Sequence, residues 1–426
     1  MNFFTWLFLF ALGANLVLEL WLMKRQQRAV SSHRDQVPEP FRRSITLAQH
    51  QKAADYTLAR LQHARVSQLV GALLLLLWTL GGGVDALDRL WRQTDLDPLW
   101  QGVGLLMSIL LGATLLELPL NLWSTFGIES RFGFNRTTPR QFLVDLLLEL
   151  VLMLAVGIPL TATFLWLMTT AGSSWWLWAW AVWMGFTLFV TWAWPTFIAP
   201  LFNKFSPLED RALRERLQRL LERCGFRSKG MYVMDGSRRS THGNAYFTGL
   251  GRSKRIVFFD TLLDSLEPEE IEAVLAHELG HFKKHHIFKH LLTMGAISLG
   301  GLALMGWLIE QPWFYAGLGV SHPSAATGLA LFLLVIPLFA GFFSPLLAAL
   351  SRRHEFEADA FAAAQTDADA LISALVKMYR DNASTLTPDP LYSAFHHSHP
   401  PAAERIGRLS RCKESAQAEP TSPLPG

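Results

Sequence analysis

Residues 276–304 read AHELGHFKKHHIFKHLLTMGAISLGGLAL. Histidines, lysines and one glutamate crowd the first eleven positions, and a greasy stretch follows without a break. Such a junction has two readings: a basic border at the edge of a membrane, or a chemical site. What the rest of the chain supplies decides between them.

The chain has 426 residues, half of them hydrophobic and only 17% charged, and its mean hydropathy is positive. A soluble protein of this length would rarely be so apolar. Sixteen tryptophans and 29 phenylalanines point the same way, because aromatic rings gather at membrane–water interfaces. A net charge of +3 makes no case for nucleic acid; the partner implied is the lipid bilayer. Cys224 and Cys412 stand apart from each other and from any CxxC spacing, so neither a disulfide framework nor a cysteine metal site is expected. The opening FFTWLFLFALGANLVLELWLM (3–23) is too long for the apolar region of a signal peptide. Its positive charge (Lys24, Arg25, Arg28) follows instead of preceding, so it reads as a retained span.

About 20 mostly apolar residues cross a ~30 Å hydrocarbon core as a helix. Seven stretches meet that test, at 3–23, 66–87, 98–123, 142–169, 175–202, 287–309 and 325–350. Lysines and arginines number nine after the first span, three after the third, fifteen in 203–285 and eight beyond 350. The opposing loops hold two, none and none. The positive-inside rule therefore puts 203–285 and the C-terminal region in the cytoplasm. The spans also carry Glu19, Glu117, Asp145 and Glu149; charges at membrane depth face protein or water, which fits a polar interior.

Five segments follow: 1–202 with spans one to five, a cytoplasmic 203–286, spans six and seven in 287–350, a cytoplasmic 351–412, and a disordered tail over 413–426 rich in Pro, Ser and Ala. Within 203–286, DRALRERLQRLLERCG has leucines at helical spacing and stops at Gly225. The β-rich runs GMYVMD, NAYFTGLG and RIVFFD predict a small antiparallel sheet or hairpin. LEPEEIEAVLAHELGHFKKHH has proline and acids in its first turn and bases in its last, the signature of a helix that runs into the sixth span.

That helix holds HExxH: His277, Glu278 and His281. Residues four apart lie about 40° apart around a helix, so both imidazoles can face one metal ion while Glu278 takes a proton from water. A catalytic zinc takes three protein ligands and keeps a fourth position open. His285, His286 and His290 follow too soon for the extended HExxHxxGxxH spacing. SRRHEFEADAFA (351–362) offers a better third ligand in Glu355, with Asp359 on the same helix face to fix a histidine tautomer. Glu357 is the rival, about 200° around the helix from Glu355. FKKHH then reads as the basic border of the sixth span.

HELGH, EFEADAFA and SHPPAAERI together resemble the type I CAAX prenyl proteases, membrane-embedded zinc proteases. STFGIESRFGFNRTT (124–138), PTFIAPLFNKFSPLED (195–210) and THGNAYFTGLGRSKRIVFFDTLL (241–263) extend the resemblance through most of the chain. It implies one Zn2+ per chain held by His277, His281 and Glu355, with Glu278 as general base and Asp359 behind the ligands. It also implies that His399 stabilises the oxyanion, that Arg405 supports that region, and that Asn244 and Tyr246 wall the substrate backbone; His396 and His397 are alternatives to His399. The implied fold is an all-α polytopic membrane protein, seven long helices around an intramembrane chamber, with a small cytoplasmic zinc-protease domain that includes the short hairpin or sheet.

The expected function is that of an integral membrane zinc metalloendopeptidase acting on peptide or protein substrates that are C-terminal, lipidated or membrane-associated. A membrane quality-control protease is the alternative with the same motif. A transporter or scaffold with structural zinc is the non-enzyme alternative, but it needs a fourth protein ligand that the sequence does not offer. The ending TSPLPG carries no endoplasmic reticulum retrieval signal, so a bacterial inner membrane is expected, with the reticulum membrane as alternative.

Overall fold

Inside a bilayer the backbone must satisfy its own polar groups, so apolar runs of this length become helices. The protein, here a computed structural model, is described over residues 1–226, 228, 230–248 and 255–418. Helices α1 (Phe3–Ser32), α2 (Leu47–Trp78) and the short α3 (Gly83–Arg92) come first. Then come α4 (Pro98–Leu122), α5 (Pro139–Thr170), α6 (Trp175–Ala193) and the four-residue α7 (Ala199–Phe202). Prolines 119 and 195 remove backbone donors at the far ends of α4 and α6, where the chain continues in wide π-turns (Trp123–Glu129, Trp194–Ile198).

Among the described residues seven helices, counted with such extensions, are long and apolar enough to cross a membrane, so the protein is an integral, multi-pass membrane protein. The second span departs from expectation. Its helix ends at Trp78 and does not reach residue 87. Gly81–Gly83 turn the chain, Gly82 with φ +78°, and α3 starts afresh with Asp85 and Asp88 paired to Arg89 and Arg92 one turn on.

Between spans five and six lie α8 (Arg211–Arg223), α9 (Asp260–Ser265), α10 (Pro268–Lys283) and four strands: β1 (Phe205–Pro207), β2 (Met231–Met234), β3 (Ala245–Thr248) and β4 (Arg255–Phe259). The sheet order is β1-β2-β4-β3. It is mixed, not purely antiparallel as the sequence suggested. β3 and β4 form the hairpin, yet β2 runs parallel to β4 (Met231 opposite Ile256), and β1 adds an unforeseen edge. One sheet face packs with α8 and α10 in a core built on Leu217, Leu220, Phe258 and Leu275.

The chain then enters α11 (His286–Leu308), α12 (Pro312–Gly317), α13 (Ala325–Ala340) and α14 (Ser344–Gln365). A 3-10 turn at Gly341–Phe343 joins α13 to α14, so one nearly continuous helix carries the seventh span outward. α15 (Ala368–Asp381), α16 (Pro390–His396) and α17 (Ala402–Ala418) complete the fold. α17 overturns the disordered tail for residues 413–418, which are helical; residues 419–426 lie outside the described part.

Burial is uneven along the spans. The large apolar core gathers Phe8, Leu105, Leu165, Trp175, Met305 and Leu331, all from the span ends remote from HExxH. Toward the other end packing thins in α5, which buries nothing before Phe164. By contrast, α2 keeps His50, Ala53, Ala54, Tyr56 and Leu61 buried in its metal-side half and buries nothing beyond Leu61. The helices thus form a ring plugged at one end, with the peripheral domain across the other.

Candidate metal centre

α10 begins on a capping box between Glu267 and Glu270, with Pro268 at its first position. Two turns later it presents His277 and His281 on one face, their Nε2 atoms 3.2 Å apart. α14 crosses α10 where Gly280 meets Ala358. A Cβ on Gly280 would lie 2.9 Å from the Ala358 Cα and 3.0 Å from its carbonyl oxygen, so only glycine permits this approach. The approach delivers Glu355, whose Oε2 stands 3.5 Å from His277 Nε2 and whose Oε1 stands 3.3 Å from His281 Nε2.

Ligand atoms of His277, His281 and Glu355 all lie within 4.8 Å of one another. Glu355 Oε2 is buried and takes no hydrogen bond among the described residues. A buried carboxylate oxygen without a partner costs about 1–3 kcal/mol or more. Two imidazole nitrogens and that oxygen around one point are a donor set for a divalent cation, so the residues fit the metal of a metalloprotease. Burial opposes charge on His277, but its bond to Asp359 and the Glu355 carboxylate beside it hold its pKa at about 9.

Behind the ligands, His277 Nδ1 donates to Asp359 Oδ1 at 2.9 Å, which leaves Nε2 free to ligate. Asp359 is clamped in turn by the buried Arg405, through Nη2 at 2.6 Å and Nε at 2.8 Å. Arg405 thus reaches His277 through Asp359, and its Nη1 lies 3.8 Å from Glu355 Oε2. His399 is exposed, with Nε2 3.4 Å from Glu355 Oε1. The two neighbouring histidines pair elsewhere: His396 with Glu19 of α1 at 3.3 Å, His397 with Ser393 at 3.0 Å. Arg352, one turn before Glu355, donates to the carbonyls of Ser393, Ala394 and His397 and so fixes the loop that carries His399.

Glu278 is half-buried beside the ligands. Burial pushes its carboxyl above the usual range and the Glu355 carboxylate adds to that, against the pull of His277, His281 and Arg405. Such a carboxylate is a stronger base than an exposed one.

The sequence offered His286 and Glu357 only as rival metal ligands and did not point to His354; the three meet beside His281. α10 ends at Lys283, and His285 adopts φ +58°, so α11 starts in a new direction with His286 as its first residue. His286 Nδ1 lies 3.1 Å from His281 Nδ1 and its Nε2 lies 3.1 Å from Glu357 Oε2. One consistent set of tautomers has His281 donating to His286 and His286 donating to Glu357. The ring of His286 also stacks on His354 at 4.1 Å. FKKHH is thus only partly a basic border: His286 is buried and sits within hydrogen-bond distance of His281. The available signal was HEFE, in which Glu357 sits on the other side of α14 from Glu355.

Asn244 precedes β3 and Tyr246 lies within it, an edge strand that pairs only with β4 among the described residues. Asn244 accepts the Phe259 N–H through its carbonyl. The Tyr246 side chain faces away from α10, against Phe259 and Met234, so a substrate could meet this residue only through the backbone edge. The spans' carboxylates divide as well. Glu19 and Asp145 are paired, the latter with Arg239 at 2.8 Å, whereas Glu117 and Glu149 are exposed.

Comparison with known proteins agrees with this architecture. Residues 26–204 match the family described as CAAX prenyl protease N-terminal, five membrane helices, and residues 207–413 match peptidase family M48. A CAAX prenyl protease 1 homolog of Arabidopsis thaliana is 37% identical over 334 residues, 77% of either chain. CAAX prenyl protease 1 of Saccharomyces cerevisiae is 37% identical over 330 residues, 73% of this chain and 72% of its own. The crystal structure of S. mikatae Ste24p superposes with a TM-score of 0.90 at 29% identity, covering 96% of this chain and 99% of that one. The chain belongs to the CAAX prenyl protease 1 branch of the M48 metallopeptidases and is a membrane metalloprotease.

Proposed function

We propose that this metalloprotease is a zinc endopeptidase that works at the cytoplasmic end of its ring, on peptides that are membrane-associated, lipidated or C-terminal. The observation that carries the zinc reading is the buried Glu355 Oε2, without a hydrogen bond among the described residues, beside the Nε2 atoms of His277 and His281. Two nitrogens and one carboxylate from three protein ligands are a donor set that suits catalytic zinc. The substrate class rests on the names of the relatives and on the seven spans that hold the site at a membrane. The orientation rests on the lysine and arginine bias of the loops.

His277, His281 and Glu355 would hold the ion. When bound, it supplies the Lewis acidity that polarises a peptide carbonyl and acidifies water. Asp359 and Arg405 keep His277 in its ligating tautomer, and His286 with Glu357 do the same for His281. Glu278 accepts the proton of the attacking water and returns it to the departing amine. His399, exposed on the open side, donates to the carbonyl oxygen as that atom gains charge. The backbone edge of β3 takes the peptide by strand addition.

Glu278→Gln in the full-length protein in lipid should keep its metal, measured by elemental analysis, and lose cleavage by about 10²–10⁴-fold. Retained cleavage would move the base elsewhere, and metal loss would make Glu278 a ligand.

A further inference from the structure

Strand alternation gives the sheet two faces. Val233, Ala245, Ile256 and Phe258 lie on the side of α8 and α10. Tyr232, Val257 and Tyr246 are register partners across β2, β4 and β3, and they point to the other side together with Arg255. There they wall a cavity of about 530 Å³ whose opposite side includes Asn203 and Lys204, the residues that directly follow the fifth span.

Three features of this cavity fit one ligand. The first is charge. Lys204 and Arg255 have no carboxylate partner, and no acid lines the cavity, among the described residues. Asp235 accepts only the backbone N–H of Lys204, and the Arg255 guanidinium rests over the Tyr232 ring at 5.5 Å. The second is hydrogen-bonding capacity, from two phenols and an amide besides the two cations. Among the described residues the Tyr246 hydroxyl meets only the Met234 sulfur, at 4.0 Å. The third is position. Trp192, Trp194, Phe197 and Leu201, on the last turns of the same span, are 44–57% exposed, as in the aromatic belt that marks the membrane–water interface.

We propose that this cavity binds the phosphate headgroup of an anionic phospholipid at the border of the fifth span. A zwitterionic lipid brings its own cation against Lys204 and Arg255, so the site prefers net negative headgroups. The two basic residues together are worth about tenfold or more in affinity at such a surface.

The test uses the full-length protein in neutral detergent. Native mass spectrometry would follow retention of added phosphatidylglycerol and phosphatidylcholine by wild type and by Lys204→Gln/Arg255→Gln. Peptide cleavage and melting temperature of each variant establish that it is folded. Wild type should keep phosphatidylglycerol about tenfold more strongly than phosphatidylcholine, and the double variant should lose that preference while still cleaving peptide. Should the double variant not fold, Lys204→Gln alone, at an exposed position, should show a partial loss. Equal retention of both lipids, or undiminished retention by the folded variant, overturns the proposal. Inorganic phosphate that binds in a Lys204-dependent way where phosphatidylglycerol does not would overturn the lipid and assign the site to free phosphate.

Discussion

Each of the two imidazoles offered to the metal has its own support. His277 leans on Asp359 and the buried Arg405, and His281 leans on His286 and Glu357. Loss of such support commonly weakens a metal by about 10–100-fold without removing a ligand. Asp359→Asn and Glu357→Gln should therefore each retain zinc at saturating metal but surrender it to a chelator at correspondingly lower concentration. Glu355→Ala should hold none, and normal metal content in that variant would pass the ligand role to another residue. The raised pKa of His277, about 9, adds a pH dependence. A group with a raised pKa stays protonated below it, and the metal must displace that proton. Affinity measured by chelator competition should rise by up to about tenfold per unit between pH 7 and 9 and then level off. A flat profile would show that His277 is already neutral at pH 7.

At the scale of elements, the site depends on how closely α10 and α14 approach. Gly280 is the position where that approach is decided. In an isolated helix Gly→Ala stabilises by about 1 kcal/mol. Here the added Cβ meets Ala358 backbone, and overpacking of that kind costs about 1–3 kcal/mol. Gly280→Ala should lower both the melting temperature and the metal affinity; a rise in melting temperature would show that the helices yield freely. α10 is also tied to α15. Burial pushes the Glu270 carboxyl up, but Lys377, Ser373 and the Glu267 N–H together hold it below the usual range. A depressed folded pKa contributes stability above the unfolded value near 4.3 that is lost as pH falls through the folded value. Lys377→Met, at a partly exposed partner, should cost about 1–2 kcal/mol at pH 7. The difference in melting temperature from wild type should vanish at acid pH.

The same elements explain what the sequence could and could not disclose. HExxH spacing and the ExxxD on α14 were legible because each is a local helical relation, and seven apolar lengths were legible because bilayer thickness fixes them. The glycine triplet at 81–83 ended the second span early, against a hydropathy that continued past it. The parallel pairing of β2 with β4 and the return of His286 onto His281 depend on chain reversals, one of them a single left-handed residue, His285. Composition does not encode such turns. Arg405 was found by resemblance and Asp359 by its helix face, but their pairing across 46 residues of chain appears only in the fold.

For the whole molecule, the distribution of packing carries the functional argument. Core residues plug the ring where α3 and α12 lie, while α5 stands unpacked toward the metal end, with nothing buried before Phe164. A peptide held at the membrane can thus reach the ligands from the ring's interior or through the domain end, but not through the plugged end. This arrangement requires the basic loops and the metal on one side and the α3–α4 loop on the other. Single cysteines placed at the exposed Asp95 and Glu209, in a chain with Cys224 and Cys412 replaced by serine, test it with a membrane-impermeant maleimide. In intact cells Asp95→Cys should label and Glu209→Cys should not; Glu209→Cys should label once the membrane is opened. The reverse pattern would turn the protease around in its bilayer and expose its site to the outside, and substrates would then have to be sought there.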